Sequence, residues 1–136
     1  MTTPLSPALR PRAALAVLAS VILAACAPED IVPSAPMALD GVSFSVEALP
    51  QAEGGCDPTQ PFPARVRWKA TDWPDPKFDL RLRSSQGQLF ARHNTAEGEQ
   101  VTDAYAHEGL WILLVDRNSQ ALVAAQPVPA LSCPSS

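Results

Sequence analysis

Histidine, glycine and aromatic residues are all scarce in this chain of 136 residues, and each scarcity removes a class of function. The only histidines are His93 and His107. A metal site would need them to converge with Glu97, Asp103 or Glu108, and no such pair has ligand spacing. Six glycines form no phosphate-cradling loop, and there is neither a G-x-S-x-G elbow nor an H-E-x-x-H pair. With one tyrosine and two histidines, a small domain has little from which to build a substrate cleft. No cofactor, metal or catalytic residue is therefore expected, and the chain reads as a non-enzyme. Basic residues are also outnumbered, ten Lys and Arg against fourteen Asp and Glu, which excludes general attraction to nucleic acid. A membrane-spanning run is missing as well. The one sustained apolar stretch, Ala13–Cys26, falls short of the roughly 20 residues a spanning helix needs, and Pro28, Glu29 and Asp30 follow it.

That stretch, AALAVLASVILAAC, is preceded by a segment whose only charges are Arg10 and Arg12. Basic start, apolar middle and small-residue end make a secretory signal. The cysteine that closes it, in Leu23-Ala24-Ala25-Cys26, resembles the lipobox of bacterial lipoprotein precursors. The resemblance implies that the Cys26 sulfur takes a diacylglycerol, that the chain is cut before it, and that palmitate-type acyl chains anchor the product. A plain cleaved signal is the alternative. Ala27 stands where the family's inner-membrane retention signal has Asp, so the implied location is the periplasmic face of the outer membrane.

Removing residues 1–25 takes away Arg10 and Arg12, leaving eight basic against fourteen acidic residues. If lipid occupies Cys26, then Cys56 and Cys133 remain. An even remainder in an oxidising compartment reads as one disulfide, with two free thiols the alternative. Residues 26–39 carry the lipid and a proline-rich stretch without periodicity, which reads as a flexible tether. Its thirteen residues beyond the cysteine reach at most about 43 Å.

From residue 40 to 134 the chain reads as one all-β domain. Val42, Phe44 and Val46 alternate with polar residues, as do Val66, Trp68 and Ala70, and Phe78, Leu80 and Leu82. Leu110–Val115 is continuously apolar, as in a central strand covered on both faces. Strands over 88–92, 99–105 and 121–128 bring the count to seven, with Pro127 and Pro129 marking an edge. Fifteen prolines argue against long helices. Seven short antiparallel strands in about 95 residues suggest a sandwich. The run from Val66 to Ala125, with its Trp-bearing strand, its GQLFA hairpin and its GLWILLVD strand, resembles bacterial immunoglobulin-like or fibronectin-like modules. The inter-sheet cysteine pair of antibody domains is missing.

If the seven strands alternate in direction, the first and last run parallel. The loop holding Cys56 and the exit holding Cys133 then meet at one end, as a disulfide requires. The tether's entry and the loops 72–77, 93–98 and 117–120 fall at the other end, so the disulfide end lies far from the membrane.

Two features invite a protein partner in the envelope. Asp72-Trp73-Pro74-Asp75-Pro76 holds a Trp at the start of a proline-stiffened loop, where it either anchors a partner or folds back to cap the core. Arg65, Arg67, Lys69, Arg81, Arg83 and Arg92 concentrate positive charge on the polar faces of three strands. They form either a docking face for acidic groups or a solvated face paired with Glu47, Asp79 and Asp103. The functional expectation is a lipid-anchored, non-enzymatic binding or scaffold lipoprotein. A periplasmic inhibitor or immunity-type lipoprotein that blocks a toxin or hydrolase is the alternative.

Overall fold

Alternating apolar and polar side chains put one face of each strand against a neighbour, and two sheets result. The computed structural model describes residues 28–134; residues 1–27, with the expected signal segment and Cys26, and residues 135–136 lie outside them. Among the described residues there are eight strands and no helix: β1 (Met37–Ala38), β2 (Val42–Ala48), β3 (Ala64–Ala70), β4 (Phe78–Leu82), β5 (Leu89–His93), β6 (Glu97–Val101), β7 (Trp111–Asp116) and β8 (Leu122–Pro127). They pair antiparallel throughout, in a three-stranded sheet of order β2-β3-β6 and a five-stranded sheet of order β1-β8-β7-β4-β5.

The period-two residues meet between the sheets. Phe44, Val66 and Trp68 of the small sheet pack against Phe78, Leu80, Leu82, Ile112 and Leu114 of the large one. Leu113, Val115 and Ala125 project to the outer face of the large sheet and are buried there too, with Met37, Trp111 and Leu122 packed on them. That second cluster explains the unbroken apolar run of β7, whose two faces are both covered.

The stretch expected to be a flexible tether belongs to the fold from Glu29 onward. The Ile31 amide donates to the Ser85 hydroxyl at 2.7 Å, and that hydroxyl donates to the Glu29 carbonyl at 3.2 Å. The Ser85 amide donates to the Ile31 carbonyl, and the Gln86 amide to the Asp30 carboxylate, each at 2.9 Å. Farther along, β1 pairs with β8 through Met37↔Ala125 and Ala38↔Ala124. Ser85 ends the β4 side of the sheet while Ala125 lies on β8, so this strap crosses the line of β7 between them.

An eighth strand changes the parity. Alternation from β2 to β8 holds, and it brings Cys56 and Cys133 to one end, where they are bonded with Cα atoms 5.7 Å apart. The strap, however, runs opposite to β2, and its start at Ser85 lies at the end of β4 that shares the disulfide's side. The chain therefore enters at the disulfide end, the reverse of the seven-strand expectation. One further boundary differs: the expected strand over 99–105 is β6 at Glu97–Val101, and residues 102–110 form the loop to β7.

Candidate functional site

Trp73 sits in the loop between β3 and β4, half-buried against the core, with its ring centroid 5.5 Å from that of Phe78. It caps the core end rather than standing out as an anchor. Its neighbours Asp72 and Asp75 both take positive φ, 56° and 47°, a backbone region that Asp tolerates better than most residues. Asp75 pairs with Lys77 at 3.8 Å, and its carbonyl accepts from the Asn118 amide. This ties the loop to the β7–β8 turn.

The basic residues do not share one face. Arg65, Arg67 and Lys69 project from β3 to the outer side of the small sheet, whereas Arg81 and Arg92 lie on the large sheet, across the sandwich. Arg83, exposed at the end of β4, takes a φ of 75° and donates its amide to the Trp111 carbonyl. The expected single docking face is thus two faces with different chemistry.

On the large sheet the centre is Asp79, which is 2% exposed. Three guanidinium groups converge on its carboxylate: Arg92 at 2.7 Å, Arg81 at 3.2 Å and Arg117 at 3.3 Å. Burial alone would raise the Asp79 carboxyl, but the hydrogen bonds from Arg92 and Arg117 and the charges of Arg92 and Arg81 outweigh it and hold the group below its ordinary value. Arg117 also donates to the Phe78 carbonyl and to Asn94, and Arg81 to the Gly87 carbonyl. These bonds fix β4, β5 and the β7–β8 turn to one another. The second buried carboxylate, Asp116, accepts from the Asn118 amide and the Ser119 hydroxyl and closes that turn. Both carboxylates are engaged in the fold.

On the small sheet the register sets charges in rows. Ser43, Lys69 and Glu97 stand abreast, as do Ser45, Arg67 and Glu99, and then Glu47, Arg65 and Val101. Glu99 accepts from Arg67 at 2.6 Å, a bond that holds its carboxyl below the usual carboxylate range, and Arg65 pairs with Glu47 at 3.3 Å. Because Ser43 and Ser45 are short, these rows leave a shallow groove of about 570 Å³ between the long charged side chains. Beneath it runs the Trp68 indole, which donates to the Thr95 carbonyl at 3.2 Å. A Cβ at Gly98 would lie 2.4 Å from that ring, so glycine is what lets β6 pass over it.

A second opening follows the seam where β5 and β6, the outermost strands of their sheets, come side by side. His93 bridges the seam at one end by packing its ring, tilted, against Trp68 at 4.8 Å between centroids and bonding Gln100 at 2.8 Å. Toward the disulfide end the strands part around a polar cleft of about 280 Å³ between Gln88 and Phe90 on one side and Val101 to Asp103 and Tyr105 on the other. Burial, and then the charge of Asp103, raise the Tyr105 hydroxyl above its ordinary value, so it keeps its proton. Sequence reading passed over Leu89, Val101 and Tyr105; their one signal was an apolar residue at a polar-side position of a short strand or loop. Among the described residues no group of three His, Cys, Asp or Glu side chains is placed to hold a metal ion. His107 lies apart from His93, exposed in the β6–β7 loop.

Comparison with known proteins finds no match for this chain among protein-family models, curated proteins or solved structures.

Proposed function

We propose that this chain is a lipid-anchored protein of the bacterial envelope, held at the periplasmic face of the outer membrane. Its sandwich acts as a non-enzymatic binding or scaffold module for another envelope or secretion-complex component. The observation that carries the reading is Leu23-Ala24-Ala25-Cys26, placed three residues before the point where the folded domain begins at Glu29. The Cys56–Cys133 bond fits an oxidising compartment. The pairing of β2-β3-β6 against β8-β7-β4-β5 supports an immunoglobulin- or fibronectin-like module.

The groove over Ser43, Ser45, Arg67, Lys69, Glu97 and Glu99 is the surface best suited to a partner. It offers both signs of charge in fixed rows on a rigid sheet, which favours recognition by polar and charged groups. A loop-borne inhibitor would need a protruding anchor, and Trp73 is turned inward on Phe78. In-cell photo-crosslinking from Ser43→p-benzoylphenylalanine should yield one discrete protein adduct, while Gln120→p-benzoylphenylalanine, in the β7–β8 turn, should yield none. Adducts at neither position would remove the binding-module reading. In parallel, Cys26→Ser should lose the acyl mass; a variant that stays acylated would remove the anchor.

A further inference from the structure

Large apolar side chains left well exposed are few among the described residues: Val32, Leu39, Leu89, Val101 and Tyr105. Single exposed apolar residues need no explanation, but four of these five stand at one end of the sandwich. Leu89 opens β5 just after the turn from β4, Val101 closes β6, and Tyr105 lies in the loop that follows. Val32 is next to Ile31, which is bonded to Ser85 in that same β4–β5 turn. Leu39 alone lies at the opposite end, between β1 and β2.

The apolar end is also the end at which the chain enters. Only Ala27 and Pro28 lie between Cys26 and Glu29, and three fully extended steps span at most roughly 11 Å. The strap therefore denies the domain the slack of an undocked linker and keeps its Ser85 end beside whatever holds Cys26. We propose that this end rests on the lipid surface, with Tyr105, Leu89, Val101 and Val32 at the headgroup boundary. The proposal depends on the lipid-anchored reading above. Tyrosine suits such a boundary, since its ring is apolar and its hydroxyl polar.

The charges at this end select the surface. Glu29, Asp30, Glu53, Asp57, Asp103 and Glu108 stand there against exposed Arg83, and Arg65 at the same end is paired with Glu47. An anionic surface would repel them, so the contact is with zwitterionic headgroups. In this posture the two sheets stand upright on the bilayer. The groove of the small sheet then faces sideways, and the loop of Trp73 and Asp75 points away from the membrane.

The test uses the full acylated chain in phosphatidylcholine vesicles, with p-benzoylphenylalanine placed either at Tyr105 or at Asn118. Irradiation should give a lipid adduct, read by intact mass, in several-fold higher yield from position 105. Adding phosphatidylglycerol should lower that yield. Ser85→Ala combined with Asp30→Ala loosens residues 29–31 from the β4–β5 turn while β1 stays paired, and should narrow the difference between the two yields while the acyl mass stays. Equal yields in the parent chain, no lipid adduct at 105, or a difference unaffected by loosening the strap would each overturn the proposal. So would an in-cell protein adduct at 105 without any lipid adduct, which would assign this patch to a polypeptide. The acyl mass before irradiation separates the two claims: without it the anchor itself fails, and with it only the posture is at stake.

Discussion

Asp79 shows what one residue can do and how little of that its neighbours in sequence disclose. In Phe78-Asp79-Leu80-Arg81-Leu82 it occupies a position that alternation assigns to solvent, yet it is 2% exposed and accepts from three arginines. Arg92 and Arg117 come from distant parts of the chain, so the site exists only once β5 and the β7–β8 turn are in place. Asp79→Asn would leave the guanidiniums of Arg81 and Arg117 facing one another largely out of water. Because the arginines themselves keep some contact with water, the loss is about 1–3 kcal/mol, to be read as a lower midpoint in urea unfolding. The pH dependence has a definite sign. A carboxyl held below its ordinary value stabilises above the unfolded pKa of about 3.9, and that stability is lost as pH falls through the folded value. Acid unfolding should therefore begin below about pH 4 in the parent, and Asp79→Asn should flatten this limb. Gly98 is the other sensitive position. Gly98→Ala forces the Trp68 ring from its place, an overpacking cost of about 1–3 kcal/mol, which a shifted tryptophan emission together with a lower Tm would register. Trp73 teaches the converse: the two prolines that follow it were legible, but which way the ring turns is decided by Phe78.

At the scale of elements, strands with period-two patterning were legible and those without it were not. β2, β3, β4 and β7 fall within a residue or so of their alternating or apolar runs, because burying one face dictates register. β6 reads Glu-Gly-Glu-Gln-Val, with Gly98 and Gln100 at its inward positions, since Trp68 and His93 already fill the space an apolar residue would take. A strand whose inner face is supplied by its partner leaves no hydrophobic period to find. β1 is two residues long, and the strap before it is held by the Ser85 hydroxyl, the Asp30 carboxylate and one backbone bond, none of which leaves a periodic pattern in the sequence. Ser85 is the means of testing it. Ser85→Ala strands the half-buried Ile31 amide and removes the bond to Glu29, a loss of about 1–3 kcal/mol. Limited proteolysis should then cut between residues 29 and 36 much faster, with the loops 94–96 and 117–121 unaffected. Equal cutting rates in parent and variant would mean that the strap is held by β1 alone.

The molecule as a whole depends on one covalent link. Closing 77 residues between Cys56 and Cys133 stabilises by about 4 kcal/mol in the chain-entropy account, a large share of what a domain of this size has. Reduction should lower Tm by on the order of 20 °C, measured by calorimetry with and without reductant. That cysteine pairing was readable by counting, and the end at which it sits by parity. The end at which the strap begins was not, because a single unpatterned strand reverses it. The same link has a consequence for fragmentation. Every strand from β3 to β8 lies inside the loop the disulfide closes, and only the strap, β1 and β2 form the stem that leads out of it. A protease cut anywhere from residue 57 to 132 opens a ring without dividing the molecule, and the pieces migrate as one chain until reductant is added. A cut in the stem separates the ring from Cys26 at the level of bonds. The proteolytic fate of this protein is thus decided in residues 28–55, and there the strap is the guard.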